Sequence, residues 1–255
     1  SLGQAQGFMT LSVILSFAAM IALFALFIHT EKTVEKPLLN LNIFSSKLFS
    51  MSVLTSMTMF TAGSFVNILM PFYLQDYRGA AAGFAGMVMM AYPVGMFIFS
   101  PIAGVLSDKF DKEIITFFAI SGVLIVQLGY LMIGKVTVLP VVMLILFCHG
   151  GSVGFFQSPN NALVMSTVET KYLGIAGSVN ALGRNLGFVL GTTLATTVLF
   201  VAMSNQIGHR VSGYVKSQPE VFLHGMHIAF YVALALIVFA WSLSGYRLLT
   251  RKKSA

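Results

Sequence analysis

Seven long stretches of this sequence contain no Asp, Glu, Lys or Arg, and they restrict the possible folds more than any other feature. The stretches are Ser1–Thr30, Leu48–Gln75, Gly79–Ser107, Ile114–Gly134, Val136–Val168, Asn185–His209 and Val221–Tyr246. A helix needs about 20 apolar residues to cross the hydrocarbon core of a bilayer. Lipid offers no partner to an open backbone, so only helices and closed barrels cross it. Barrel strands alternate apolar and polar residues, whereas these stretches are solidly apolar.

The sequence therefore predicts an all-α integral membrane protein with seven transmembrane helices. Their approximate cores are 8–28, 48–74, 82–104, 114–133, 138–158, 175–202 and 224–246. We number these predicted spans one to seven.

Composition excludes several classes of protein. Apolar residues make up 57% and charged residues 9%, against a usual charged share of about 25% in soluble domains. A soluble enzyme or nucleic-acid-binding protein could not cover itself with so little polar surface, and disorder needs the opposite composition. No Ser/His/Asp set is evident, and none of the five histidines pairs with a carboxylate at metal-ligand spacing. We therefore expect no catalytic site, metal or cofactor.

The distribution of basic residues predicts the orientation. One set of connections carries ten: Lys32, Lys36, Lys47, Lys109, Lys112, Lys171, Arg247, Arg251, Lys252 and Lys253. The other set carries four: Arg78, Lys135, Arg210 and Lys216. The positive-inside rule places the larger set and the C-terminus in the cytoplasm of a multi-pass cell-membrane protein. The net charge of +7 then reflects topology and anionic lipid, with no nucleic-acid partner.

The beginning of the chain also shapes the expectation. The first residue is serine, and the first apolar stretch lacks the basic region that opens a signal peptide. We therefore expect a fragment or a processed chain, with its N-terminus outside.

The connection after span three, Ser100–Glu113, is the most informative motif. Gly104 allows close helix approach, Asp108 can cap span four or pair with a cation, and Lys109 and Lys112 face the cytoplasm. On charge alone, a plain solvated loop with topogenic lysines is the preferred interpretation. The segment resembles the loop motif of the major facilitator superfamily, Gly-x-Leu-Ala-Asp-Arg-x-Gly-Arg-Lys. The residues that match or substitute conservatively are Gly104, Leu106, Asp108, Lys109 and Lys112.

Two departures from that motif, Asp111 for glycine and Glu113 for a basic residue, resemble the degenerate copy in the C-terminal half of such proteins. Further segments are similar to fourteen-span drug:proton antiporters: Glu35–Phe44, Pro71–Gly79 and Gly174–Gly191. The resemblance implies a linker span and loop in 1–46 and a C-terminal six-helix bundle in 47–255. The bundle would consist of two inverted three-helix repeats.

The same resemblance implies a function. The chain would be half of a secondary transporter that exports lipophilic or cationic drugs in exchange for protons by alternating access. Its partners would be membrane lipid, a small lipophilic substrate, protons and a missing N-terminal half. Alternatives are another substrate, such as a siderophore, sugar or peptide, or a non-transporting membrane fragment. A seven-span retinal protein is disfavoured because span seven lacks a lysine for a Schiff base.

Candidate cavity residues come from helical spacing and from the family fold. Span two presents Met57, Phe60, Ser64 and Asn67 on one face. In the superfamily, the first and fourth helices of each half line the cavity, which adds His149 and Phe156 of span five; core or lipid packing stays open for each. His149 could carry protons or serve as a hydrogen-bonded structural residue.

Span six carries a charge and a glycine stripe. Arg184 must snorkel, pair or face water, and with Asn180 one turn before it we expect either a gate and cavity lining or simple snorkelling. Glycines recur at four-residue steps, which favours close helix packing over substrate contact. They are Gly183, Gly187 and Gly191.

Overall fold

A computed structural model describes residues 11–33, 41–211, 213–215 and 218–251. Within these ranges the chain forms helices and no strands. The helices are α1 (Leu11–Thr33), α2 (Lys47–Phe72), α3 (Ala82–Met89), α4 (Ala91–Lys109), α5 (Lys112–Leu131), α6 (Leu139–Ser166), α7 (Leu173–Ile207) and α8 (Pro219–Arg251). Short 3-10 turns occupy Leu41–Ser45 and Thr170–Tyr172, and a π-helical turn, Tyr73–Tyr77, extends α2.

The all-α membrane class is confirmed for six spans. Six segments are long and apolar enough to cross a membrane: Lys47–Tyr77, Ala82–Lys109, Lys112–Leu131, Leu139–Ser166, Thr170–Ile207 and Pro219–Thr250. Predicted span one coincides largely with α1, which has 23 residues; that it crosses the membrane stays a prediction. Four of the basic residues used for orientation lie outside the described residues, as does most of the linker resemblance. These are Lys36, Lys216, Lys252 and Lys253.

Predicted span three is observed as one span, Ala82–Lys109, with a single-residue interruption of the helix at Met90. The α3 and α4 helices meet at Met90, three residues before Pro93. Proline has no N–H to donate to the carbonyl four residues back, here that of Met89, and its ring crowds that turn. A hydropathy window does not detect such a break because every residue around it is apolar.

Several helices extend further than their predicted cores, among them α6 and α7. The α6 helix continues to Ser166, and α7 continues to Ile207, where Gly208 at φ +86° ends it. Helices cross the lipid boundary without a change in backbone, whereas the apolar window reports only the part inside lipid.

Successive spans run antiparallel, which gives the bundle two distinct ends. At one end Arg247 of α8 meets Ser52 near the start of α2. At the other end Tyr73 Oη donates to Gly134 O over 3.0 Å, and Arg78 Nη1 donates to Thr137 O over 2.6 Å. We call the first end the lysine-rich end, because the helix termini there carry Lys47, Lys109, Lys112, Lys171 and Arg247.

The helix pairing follows an inverted repeat. The two most extensive interfaces join α2 with α7 and α4 with α6, and the next two join α5 with α6 and α2 with α8. In such a repeat α2 corresponds to α6, α4 to α7 and α5 to α8. Under this correspondence the α2–α7 pair matches the α6–α4 pair, and the α5–α6 pair matches the α8–α2 pair. The exception is that α7 packs well on α8 while α4 barely contacts α5. An apolar cleft of about 540 Å³ lies beside that loose pair.

Candidate functional site

The main polar cluster in the apolar part of the bundle joins α6 and α7. Asn161 Oδ1 accepts two hydrogen bonds, from Asn180 Nδ2 at 2.8 Å and from Arg184 Nη1 at 3.1 Å. Asn180 is 2% exposed, and its Oδ1 has no hydrogen-bond partner among the described residues. The α7 helix begins at Leu173, so Arg184 lies about 16 Å along its axis at the usual helical rise. The cluster is therefore well inside the span and nearer the lysine-rich end.

The Arg184 side chain lies between two neighbouring helices. Its guanidinium carbon lies 5.9 Å from the centroid of the Phe60 ring of α2, and its Nη1 donates to Asn161 Oδ1 of α6. The two neighbouring helices therefore hold the charge where α2, α6 and α7 come together.

A mostly apolar cleft borders the same cluster through Asn161. Asn161, Gln157 and Ser158 of α6 line one wall, and α4 forms the other in a cleft of about 640 Å³. The α4 wall consists of Pro93, Met96, Phe97, Ser100 and Pro101. Asn161 thus belongs both to the Arg184 cluster and to a space large enough for part of a small molecule.

The glycine stripe of α7 lies directly against α2. A Cβ on Gly187 would overlap the carbonyl oxygen of Met57, and one on Gly191 would overlap that of Thr61. Ser64 of α2 adds a hydrogen bond to the same interface, since its Oγ donates to Phe188 O of α7 over 3.2 Å. Only glycine permits this closeness, so the two helices are in backbone contact over several turns.

A second glycine interface, between α4 and α6, was not anticipated. A Cβ on Gly95 would overlap Phe147 O, and one on Gly150 would overlap Tyr92 O. Gly154 lies close to Met96 O, at 3.0 Å from where its Cβ would be. The four-residue step from Gly150 to Gly154 is the sequence signal that could have indicated this interface.

The predicted cavity residues do not form one surface. Met57 and Phe60 are half-buried and Asn67 is exposed. Phe156 is 1% exposed and packs in a core cluster with Met59 and Ile120. Ser64 is engaged with α7. Phe60 and Asn180 are thus the predicted cavity residues that the structure brings to the Arg184 cluster.

His149 lies in the interior of the bundle. Its Nδ1 is 3.1 Å from Tyr130 Oη, and its ring makes edge contacts with Tyr92 and Tyr130 at centroid distances of 5.3 and 5.5 Å. It is 2% exposed. The side chain therefore ties α6 to α4 and α5.

The family model described as Major Facilitator Superfamily matches residues 1–192. The chain belongs to the major facilitator superfamily. Curated relatives with similar sequences are named as transporters. The riboflavin transporter RibZ of Clostridioides difficile is 29% identical over 85% of this chain and 48% of its own length. Multidrug resistance protein 3 of Bacillus subtilis is 25% identical over 83% of this chain and 41% of its own length.

A third relative extends the comparison. The probable multidrug resistance protein EmrY of Escherichia coli is 28% identical over 73% of this chain and 36% of its own length. The chain thus spans at most about half the length of these curated relatives. It is a multi-pass membrane protein of the major facilitator superfamily.

The loop that resembles the superfamily motif joins α4 to α5. Gly104 is half-buried, and a Cβ there would sit 3.4 Å from Ser158 Oγ of α6. Asp108 and Lys109 are exposed in the last turn of α4, and Lys112 is the first residue of α5. No hydrogen bond or ion pair from Arg184 to this loop occurs within the described ranges.

One detail of this loop corrects the expectation for Asp108. The residue that caps α5 is Asp111, whose Oδ1 accepts from Glu113 N over 2.9 Å. The cap position directly precedes the first helical residue, Lys112, whereas Asp108 still belongs to α4. The departure of Asp111 from the superfamily motif thus has a local structural reason.

Sequence reasoning missed a second buried cluster at the lysine-rich end. Arg247 is 3% exposed and donates from Nη1 to Ser52 Oγ over 2.8 Å. Glu113, which is 2% exposed, and Asp111 interact electrostatically with it. Asn160 Nδ2 adds a 3.3 Å bond to Ser52 O. Arg247 had been counted only as a residue that sets topology, and nothing in its sequence context indicates burial.

Proposed function

We propose that this chain is the C-terminal half of a secondary active transporter that exports small lipophilic compounds by alternating access. The observation that supports this most is the inverted pairing of the six spans. An inverted repeat lets one bundle present equivalent helices toward both sides of the membrane, so that rocking against a second bundle opens each side in turn. The glycine contacts of α2 with α7 and of α4 with α6 would keep the bundle rigid during that motion.

A second half would cover the least buried spans. The α3–α4 span and α7 leave the largest share of their residues exposed. Exposed apolar side chains on these helices include Phe97, Ile102, Leu186, Phe188 and Val189. The chain also spans at most about half the length of its relatives. We infer that a preceding N-terminal bundle packs on α4 and α7, and that α1 is a linker span in 1–46 before the bundle of 47–255.

We propose that protons drive export, in the plasma membrane, with the C-terminus in the cytoplasm. All eight Asp and Glu residues fall near span ends or in connections, so the group that carries the proton would belong to the missing half. A cationic drug would need an anionic partner at membrane depth, and that partner would also have to belong to the missing half. Multidrug resistance proteins among the relatives support lipophilic substrates.

The loop between α4 and α5 would act as a gate at the cytoplasmic side. Asp108 and Lys109 are exposed there and would contact the other half, while Gly104 packs near Ser158 of α6 and Lys112 is half-buried at the start of α5. Arg184 lies deeper, where it would close or line the path behind the loop.

Transport by the full-length protein that contains this chain tests the proposal. The protein is reconstituted into liposomes, and export of a fluorescent lipophilic dye is followed with and without an imposed proton gradient. We expect flux that depends on the gradient and stops when a protonophore collapses it. Equal flux in both conditions would rule out proton coupling, and absence of flux for every dye tested would rule out drug export.

A matched variant separates transport from integrity. In Gly187→Leu the new side chain would force α7 away from Met57 of α2, while Gly63→Leu changes a glycine whose Cβ position is open. We expect the first to lose transport and the second to retain it.

A further inference from the structure

Arg184 has N–H donors that the described residues leave without an acceptor. A guanidinium has five N–H donors, and the described residues provide one acceptor, Asn161 Oδ1. No carboxylate forms an ion pair with Arg184 in the described part of the chain; the two ion pairs found there are on exposed side chains elsewhere. Most N–H donors of Arg184 therefore have no acceptor among the described residues.

The surroundings compensate only part of the charge. An arginine at membrane depth is costly unless it is paired, solvated or able to reach the headgroups. Asn161 is neutral, and the aromatic face of Phe60 provides only a weak cation–π attraction. An anion brought into this position would gain a strong, charge-assisted interaction.

The side-chain amides of Asn161 and Asn180 lie beside the Arg184 guanidinium. Asn161 Oδ1 is occupied by two donors, which leaves the Asn161 amide nitrogen as a donor without a partner among the described residues. Asn161 is half-buried and lines the cleft between α4 and α6. Asn180 is nearly fully buried and its Nδ2 holds Asn161 in this orientation, while its Oδ1 has no partner among the described residues. The open positions on Arg184 and Asn161 are thus donors, with a positive charge, beside a cleft, whereas the open position on Asn180 is an acceptor.

We propose that Arg184 and Asn161 bind a carboxylate or phosphate group of the transported compound, with Asn180 as the positioning residue and Phe60 against its aromatic part. This rests on the proposed transport function and specifies its substrate class: aromatic or amphiphilic anions rather than cations. The cleft wall of Met96, Phe97 and Pro93 accommodates the apolar portion. A cationic drug would be repelled by Arg184 on this side of the cavity.

Two xanthene dyes with similar rings and opposite charge test the substrate class. Binding of fluorescein, an anion, and of rhodamine 6G, a cation, is measured by fluorescence polarisation on the purified full-length protein in maltoside detergent, which contains no phosphate. We expect fluorescein to bind more tightly, and Arg184→Gln to weaken it by about 10- to 100-fold while rhodamine binding is unchanged or tighter. Tighter binding of rhodamine, unaffected by the variant, would overturn the proposal.

Further variants keep the test independent of folding. Arg184→Lys retains the charge and should retain part of the fluorescein affinity, and Asn161→Leu should reduce it. Arg210→Gln, in the exposed connection after α7, should change nothing. Thermal unfolding of each protein confirms that the comparison is between folded samples. If Arg184→Gln binds fluorescein as well as the wild type, the site is not an anion site.

A lipid phosphate or a carboxylate of the other half could also supply the oxyanion that Arg184 binds. The following measurements distinguish these two sources from the transported compound. If fluorescein binding disappears in phospholipid nanodiscs but not in detergent, a lipid phosphate occupies the cluster, and the substrate assignment is wrong. If Arg184→Gln leaves both dyes bound but stops their transport, the partner is a carboxylate of the other half, which also overturns the proposal. Loss of proton-driven flux for every dye, with Arg184-dependent fluorescein binding intact, would refute the proposed function but not the anion site.

Discussion

Arg247 near the end of α8 donates a hydrogen bond to Ser52 near the start of α2, with 2.8 Å between Nη1 and Oγ, and both residues are buried. The bond joins the last helix of the bundle to the first. Glu113 at the start of α5 is also buried and supplies negative charge nearby. The lysine-rich end is thus held by a buried charge cluster and not only by apolar packing.

Replacing this arginine should destabilise the protein strongly. In Arg247→Met the hydrogen bond to Ser52 Oγ is lost and the Glu113 carboxylate loses a nearby positive charge; a hydrogen bond from a charged group contributes about 1.5–3 kcal/mol. Thermal unfolding in detergent measures the loss. Lys109→Met, which removes an exposed cation from the end of α4, serves as the control and should unfold like the wild type. Equal unfolding temperatures for all three proteins would show that the cluster contributes nothing.

The α2–α7 interface should not tolerate a single methyl group. Gly187→Ala places a Cβ against the carbonyl oxygen of Met57, and overpacking of this kind costs about 1–3 kcal/mol. Gly63→Ala, where the new methyl group meets nothing within 4 Å, should instead stabilise the helix by about 0.5–1 kcal/mol. The two unfolding temperatures should therefore shift in opposite directions, and a shift of the same sign and size would contradict the packing.

The first turn of α5 should depend on Asp111. Asp111→Ala removes the acceptor for Glu113 N, and loss of such a cap costs about 0.5–2 kcal/mol. Asp111→Asn preserves the acceptor and should recover most of the loss. Unfolding in denaturant series measures both variants; if the Ala variant matches wild type, the cap is without energetic consequence.

Asp108 should affect transport rather than stability. Its side chain is exposed in the last turn of α4, so Asp108→Asn should leave the unfolding temperature unchanged. If the loop latches against the other half, the same variant slows dye export by the full-length protein at equal membrane expression. Undiminished export would remove the gate role proposed for the loop.

The orientation can be tested with two cysteines in a Cys148→Ala background. Val136, which is 91% exposed between α5 and α6, and Lys109 lie at opposite ends of the bundle. A membrane-impermeant maleimide should label Val136→Cys on intact cells and Lys109→Cys only after permeabilisation. The reverse pattern would place the lysine-rich end outside.

Much of the fold follows from the one-dimensional pattern of charge and apolarity. Each predicted core from 48–74 to 224–246 coincides with an observed span, because the cost of unsatisfied backbone in lipid makes a long uncharged stretch helical whatever its neighbours. The loop around Gly104 and Asp108 likewise indicated the superfamily without any structure. The break at Met90 was missed, although Pro93 is visible in the sequence, because hydropathy does not report backbone hydrogen bonding.

The candidate site could be predicted only in part. Arg184 and Asn180 were identified because a charge at membrane depth is conspicuous in any apolar stretch. Asn161 was not, since a half-buried amide near a helix end looks like any other polar residue until Arg184 and Asn180 are both seen to donate to it. For His149 the sequence left open a cavity role, a proton-carrying role or a hydrogen-bonded structural role, and only the structure places it in the interior beside Tyr130.

Sequence alone determined that this chain crosses a membrane in a series of helices, since the penalty for an open backbone in lipid depends on composition and length. Which sides of those helices meet was decided only in three dimensions. Gly187 lies on Met57, and Arg247 reaches Ser52 across the whole chain, because side-chain volumes and hydrogen-bond partners select one rotation and one neighbour for each helix. Hydropathy, which is the same all around such a helix, cannot make that selection.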